Sequence, residues 1–295
     1  MASYGIWRHE SSLGNSAEQI VNLCHFIKQM NDKDPIIYVE SDFQKYFAMC
    51  IEEIIPENIR YYSKEIEMDR LNENVMKYYG LLKDIYMPDV YFRDLPYYYP
   101  SVWENLSMNK CLLKFPYKYY EHKFDHLLPK DAIVIQFRQA KTYWHRIDGD
   151  NMEPRRFVDP LMFGKVALHY ANKGFKVVKI GDPRQMLFPS HPNIIDFGCF
   201  QHQNKTILDD LYLIDNCKVF LSCDSGVWPM AGGMKKKLVL SNVACVFNGE
   251  MKLYKECIVK WMVPEITRVI YKDIINGQYM DNSFEQLIQN VDSLL

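Results

Sequence analysis

Short apolar runs alternate with stretches of helical period along most of this chain. Tyr4-Gly5-Ile6-Trp7 reads as a first strand, followed by a polar turn from Arg8 to Ser16. Ile20, Leu23, Ile27 and Met30 then recur at the spacing of one helix face. Pro35–Val39 predicts a second strand, Phe43–Ile54 a second helix and Ile59–Tyr62 a third strand. Strand, helix, strand, helix, strand in that order begins a parallel sheet. The pattern then weakens. Asp69–Asp84 keeps a helical period, but Met87–Tyr120 is rich in tyrosine and punctuated by Pro88, Pro96, Pro100 and Pro116. This stretch reads as an insertion followed by a link between domains, with the boundary near Pro129.

Beyond the boundary the pattern sharpens. Ala132–Phe137 is an apolar strand that ends at Arg138, and a polar, aromatic loop runs on to Arg156. Phe157, Leu161, Leu168 and Ala171 mark a helix face closed by Gly174. Lys176–Ile180 is a strand running into Gly181-Asp182-Pro183, Asn193–Phe197 another, and Thr206–Asp215 a short helix. Val219-Phe220-Leu221 stops abruptly at Ser222-Cys223-Asp224-Ser225-Gly226, and a helix begins in which Pro229 is tolerable only in the first turn. Gly232-Gly233 weakens that helix, Lys235-Lys236-Lys237 suits its negative end, and Leu238-Val239-Leu240 is the next strand. Ser283–Leu295 predicts a final helix with Phe284, Leu287, Ile288 and Val291 on one side, free to pack back on the N-terminal half. The expected organisation is residues 1–129 as one Rossmann-like domain and 130–295 as a second.

Composition narrows the class. The chain has 295 residues, 48% of them hydrophobic and 24% charged, enough for a sizeable core. A net charge of -2 argues against nucleic acid as the partner. No apolar run reaches the length of a membrane span, and no secretory leader is visible at Met1–Ser12. The eight cysteines stand singly, without the spacing of a zinc site, which suits reduced thiols in a soluble cytoplasmic protein. The 21 tyrosines favour polar-aromatic clefts of the kind that bind sugars, although most such rings serve packing.

The turn after Val219–Leu221 is the chemical focus. A polar, small-residue turn between a parallel strand and a helix start lies where doubly wound sheets bind ligands. Free N–H groups there face an anion, and Gly226 lets it approach. This turn is read as a holder of nucleotide phosphates. Around it fall a strand ending in Arg138, then Arg155-Arg156-Phe157, Gly174–Asp182, Ile194–Phe197 and Asp209-Asp210-Leu211-Tyr212-Leu213. That succession, over residues 132–243, resembles bacterial and viral glycosyltransferases of GT-B type. More distantly it is similar to heptosyltransferases and to fucosyltransferases whose signature strand ends in HxR. The compact form also resembles short glycosyltransferases of large algal viruses, some of which transfer xylose. The resemblance implies an α/β fold of two doubly wound domains facing a central cleft, with the C-terminal domain on the nucleotide sugar (UDP- or GDP-linked) and the N-terminal domain on a glycan acceptor. Two positions depart from it: Gln136 stands in place of the HxR histidine, and Gly14-Asn15 in place of a Gly-Asp pair that supplies a base.

Sugar transfer needs an anchor for the diphosphate leaving group and a base for the acceptor hydroxyl. Arg138 is the leaving-group candidate, since guanidinium forks onto phosphate oxygens. Lys141, Arg146, Arg155 and Arg156 add charge, or are solvated loop cations. Ser225 and Gly226 offer a hydroxyl and an N–H to phosphate; Asp224 either joins them or caps the helix. Asp182 either binds a ribose hydroxyl or begins an Asp-Pro turn. The donor-binding set is Arg138, Lys141, Arg155, Gly181, Asp182, Phe197, Ser222, Asp224, Ser225 and Gly226. Glu10 and His9, in the first loop, are the candidate bases of an inverting reaction; if neither acts, the reaction is retaining. Asp148-Gly149-Asp150 spells a DxD, but so does Asp32-Lys33-Asp34, and neither follows an apolar strand. No metal and no other cofactor is expected. Trp144 and Trp228 either stack on a ligand or belong to the core. Absence of GxGxxG, GxxxxGK[ST] and GxSxG weighs against dinucleotide, P-loop and hydrolase chemistry. The alternatives kept open are a nucleotide-sugar epimerase on the same fold and a GT-B domain that binds without catalysis.

Overall fold

The computed structural model describes residues 3–5, 13–30, 33–39, 41–52, 54–61, 112–124, 126–139, 157–224, 226–243, 263–276 and 278–295. They form two parallel sheets and a small hairpin. The first sheet has the order β1-β2-β3, with β1 Ser3–Gly5, β2 Ile36–Val39 and β3 Ile59–Tyr61. Helices α1 (Leu13–Met30) and α2 (Asp42–Ala48) connect them. The second sheet has six strands, all pairs parallel: β4 (Ile133–Gln136), β5 (Val177–Lys179), β6 (Ile194–Asp196), β7 (Val219–Cys223), β8 (Leu238–Val243) and β9 (Thr267–Tyr271). Their order is β6-β5-β4-β7-β8-β9.

That order has one reversal. The chain winds outward from β4 through β5 to β6, returns to β4's other side at β7, and winds outward again. Beta-branched and apolar residues at every position of Ile133–Ile135 and Val219–Leu221 suit strands covered on both faces. Ile133, Ile135, Phe137, Val219 and Leu221 face one layer, which holds α3 (Pro160–Asn172) and α6 (Phe284–Asp292). Val134, Val178 and Phe220 face the other, with α4 (Ile207–Asn216) and α5 (Trp228–Gly233). Opposite faces for the two winding directions follow from right-handed crossovers.

Local chemistry sets the helix ends. Asp159 precedes α3 and accepts from Leu161 N–H at 2.9 Å, Pro160 pre-sets the first helical φ, and Gly174 at φ 90° turns the chain out. Asp209 closes the start of α4 by accepting from the main-chain N–H (2.6 Å) and hydroxyl (3.1 Å) of Thr206. Ser283 and Gln286 form the same reciprocal box at α6.

Several sequence expectations change here. The turn predicted over Arg8–Ser16 is shorter at its C-terminal end, because Leu13–Ser16, including Gly14-Asn15, already belong to α1. Helix α2 stops at Ala48, six residues early: Cys50 and Ile51 N–H bond back only three residues, and Ile51 then bridges Leu113. The buried face of α3 is Phe163, Val166, Ala167, Tyr170 and Ala171; Leu161 is 60% exposed and Phe157 precedes the cap. Strand β9 and the hairpin of β10 (Asp273–Ile275) and β11 (Gln278–Met280) were not foreseen. Helix α6 does not return to the first sheet: Leu287, Val291 and Leu294 are buried against α3 and the second sheet. Lys236 and Lys237 leave the end of α5 and reach Asp215 and the Leu294 carbonyl.

One core joins the two sheets. Ala17, Ile20, Val21, Cys24 and Ile27 of α1 share a buried cluster with Trp228, Met230, Ala231 and Met234 around α5 and with Val134 and Phe220 of the large sheet. Residues 112–124 strap the two together: Leu113 N–H bonds to Gly233 O at 2.9 Å and Lys114 N–H to Cys50 O at 2.8 Å. Phe115, Tyr120 and Tyr212 then interlock, with Tyr120 stacked on Tyr212 at 4.8 Å. Among the described residues no helix is long and apolar enough to cross a membrane.

Candidate functional site

The reversal of strand order puts the carboxyl ends of β4 and β7 side by side, with Gln136 paired in register with Ser222. At such a point the connections leave in opposite directions and open a crevice. Its floor is a buried polar layer. Ser222 Oγ donates to Gln136 Oε1 (3.2 Å), and Ser241 Oγ donates to Ser222 O (3.0 Å). Gln136 extends under the turn after β7. A β-carbon at Gly226 would lie 2.4 Å from Gln136 Nε2, and Gly226 has φ 70°. The positive φ favours glycine there, and any side chain would also have to displace the Gln136 amide.

Arg138 follows β4 by two residues and is only 6% exposed. Its N–H lies 3.1 Å from Cys223 Sγ, its carbonyl accepts from Val158 N–H (3.1 Å), and its guanidinium carbon lies 5.8 Å from the centre of the Phe157 ring. A third wall follows β5. Gly181 turns at φ 111° against Gln185, whose Nε2 donates to Phe137 O at 2.6 Å while its buried Oε1 has no hydrogen-bond partner among the described residues. Asp182 accepts from Arg184 N–H (2.8 Å) and from its guanidinium (2.6 to 3.2 Å). Burial would raise the Asp182 pKa, but these bonds, the Arg184 charge and Lys179 outweigh it and hold it below the ordinary value. Beneath the wall, Lys179 is fully buried and pairs with Asp196 (3.0 Å), which also accepts from Phe188 N–H. Asp210, on the far face, is raised by burial despite Lys205 at 2.8 Å.

Of the residues proposed from sequence, the structure brings Arg138, Gly181, Asp182, Ser222, Asp224 and Gly226 to one sheet edge. Ser222 is fully buried and serves the floor, and Asp224 is 2% exposed. The N-cap position of α5 falls to Val227, three residues after Asp224, and carries no side-chain cap bond. Phe197 begins the 3-10 turn after β6, and its ring is buried against Phe124 and Phe200. Trp228 is a core residue. His9, Glu10, Lys141, Arg146, Trp144, Arg155, Arg156, Ser225 and the Asp148–Asp150 motif lie outside the described residues. Sequence reasoning missed Gln136 as a strut and the parts played by Gln185 and Phe157. A lone glutamine closing an otherwise apolar strand was the available signal for the first. Among the described residues no group of three or more His, Cys, Asp or Glu is placed to hold a metal.

No protein-family model matches the chain, and no curated protein matches it. Solved structures do. The glycosyl transferase family 9 protein of Veillonella parvula DSM 2008 superposes with a TM-score of 0.55 at 15% identity, over 99% of this chain and 96% of that one. E. coli heptosyltransferase WaaC, solved with ADP, gives 0.49 at 9% identity over 100% of both chains. E. coli ADP-heptose lps heptosyltransferase II gives 0.45 at 12% identity over 100% of this chain and 98% of that one. The fold is α/β of GT-B type, built on two Rossmann-like sheets. At these identities the likeness speaks to fold.

Proposed function

We propose that this protein is a glycosyltransferase that moves a sugar from a nucleotide donor to a hydroxyl of a glycan, by an inverting, metal-independent reaction. The observation that carries the reading is the strand-order reversal of the large sheet: Arg138, Asp224 and Gly226 follow its two neighbouring carboxyl ends, and doubly wound sheets bind nucleotides at such a reversal. GT-B architecture over the whole chain supports it.

In this reading Arg138, with Lys141 and Arg155, takes the diphosphate as it leaves. Gly226 admits a phosphate to main-chain N–H groups, with the Ser225 hydroxyl beside them. Asp182, kept ionised by Arg184, accepts from a ribose hydroxyl. Glu10 or His9 removes the acceptor proton as its oxygen attacks the anomeric carbon opposite the diphosphate. The donor is a UDP- or GDP-sugar, and the transferred unit a hexose or pentose, xylose included.

The test is a melting-temperature screen of nucleoside diphosphates and their sugars, with and without EDTA, followed by assay of nucleoside diphosphate release. Ligand at a hundred times its Kd stabilises by about 2.7 kcal/mol, a shift of a few degrees at this size. The expected result is a shift from one nucleotide family, indifferent to EDTA and lost in Arg138→Ala, with acceptor-dependent release of the diphosphate. A shift abolished by EDTA would sink the metal-free mechanism. Binding without release would leave a non-catalytic GT-B domain, and no shift at all would remove the donor site.

A further inference from the structure

The described chain resumes after Arg138 and Gln139 at Phe157, which is held from an unexpected quarter. Lys272 closes β9, and its side chain is 3% exposed. Its ammonium donates to Phe157 O at 2.7 Å and to Asp281 Oδ1 at 2.5 Å. Asp281 Oδ2 accepts from Asp159 N–H at 2.6 Å. Val158, between them, gives its N–H to the Arg138 carbonyl. Three consecutive main-chain groups are thus fixed, two of them by one ion pair that straddles the β10–β11 hairpin. Asp281 is itself anchored, because Asn282 beside it exchanges reciprocal bonds with Asn242 of β8 at 2.5 and 2.8 Å.

The residue so held carries the ring that faces Arg138, with the guanidinium carbon 5.8 Å from the ring centre. An arginine side chain has several rotatable bonds, and a guanidinium that must meet an anion in one orientation benefits from a surface that removes the others. Phe157 supplies that surface at 5.8 Å, and the Lys272–Asp281 pair holds Phe157 by its carbonyl. Stability alone accounts poorly for the pair, since a partly buried ion pair returns little net free energy over an apolar replacement.

We propose that Lys272 and Asp281 are positioning residues for Arg138: through Phe157 and Asp159 they fix the plane in which its guanidinium meets an anion. That the anion is the donor diphosphate rests on the function proposed above; the fixing of Arg138 does not.

Two readouts separate these. Calorimetric titration with UDP, GDP and ADP measures anion binding by wild type, Arg138→Ala, Asp281→Ala and Lys272→Met. The Nε–Hε resonance of Arg138, assigned by its loss in Arg138→Ala, reports whether the guanidinium is held. Asp292→Asn serves as a structural control, because Asp292 pairs with Lys173 (3.7 Å) and Tyr170 (2.9 Å) between α3 and α6. Asp281→Ala is expected to weaken nucleoside diphosphate binding about tenfold and to move the Arg138 resonance to the position of a free side chain. Asp292→Asn should lower the melting temperature and move neither. If Lys272→Met does not fold, Asp281→Ala carries the test, its carboxylate being 28% exposed. Unchanged affinity together with an unchanged Arg138 resonance in Asp281→Ala overturns the positioning role and leaves the donor site standing. If wild type binds no nucleoside diphosphate, the donor reading falls, and the Arg138 resonance alone decides the positioning role.

Discussion

At the scale of single residues, the site floor is a matter of one missing methyl group. Gly226 sits in the left-handed region directly over Gln136, whose amide is tied to Ser222. Gly226→Ala should therefore cost ~1–3 kcal/mol in urea denaturation, part from the backbone and part from the collision. Shortening the partner relieves only the collision, so the Gln136→Ser, Gly226→Ala pair should be less destabilised than the sum of its parts. Strict additivity would show that the two do not meet. Asp182 makes a pH prediction of definite sign. Its pKa is depressed in the folded state, so the stability from Arg184 is complete above the ordinary value of 3.8 and disappears as pH falls through the lower folded value. The gap in melting temperature between wild type and Asp182→Asn should be small, since the pair is partly exposed. It should stay constant between about pH 5 and 7 and close below about pH 4. A gap that widened in acid would contradict the assignment.

At the scale of elements, the double glycine in α5 shows what a sequence can and cannot reveal. Gly232-Gly233 reads as a weak helix, which it is by propensity. In the structure a β-carbon on Gly233 would lie 2.7 Å from Leu113 Cδ1 and 3.3 Å from Val21 Cγ2, so the glycine lets α1 and the strap pack closely on α5. Gly233→Ala should destabilise by about 1–2 kcal/mol, overpacking exceeding the helix-propensity gain, and Leu113→Ala should recover part of the loss. A stabilised Gly233→Ala, read by chemical denaturation, would refute the close fit. The strands β4, β5 and β7 were legible because each is a short apolar run stopped by Gln136-Phe137-Arg138, Gly181 or Ser222 onward. The phase of α3 was not, because Pro160 and Asp159 set its start after Phe157, which the periodicity had counted as its first turn. The β10–β11 hairpin left no trace either: Ile274 and Ile275 are exposed, so no core imposes an alternation on them. Contacts such as Lys272 to Phe157 span 115 residues and have no local signature at all.

At the scale of the whole molecule, two sheets that a domain boundary at Pro129 would separate are joined by one buried cluster and by the strap of residues 112–124. Neither has an apolar surface it can complete alone: α1 buries Ala17, Ile20 and Val21 with Met230, Ala231 and Met234. Calorimetry should accordingly show a single transition, with calorimetric and van't Hoff enthalpies in agreement and both sheets melting together. Two resolved transitions, or a ligand that raised only one of them, would mean that the shared core does not couple them. The shared core also bears on ancestry. Where two domains meet only through a linker, recombination can join the acceptor half of one enzyme to the donor half of another, and new specificities arise by exchange of modules. Here a foreign first half would bring its own helix face against Gly233 and its own side chain in place of Leu113, and the seam would fail before any substrate was met. Such a chain changes most readily where a substitution leaves that seam intact.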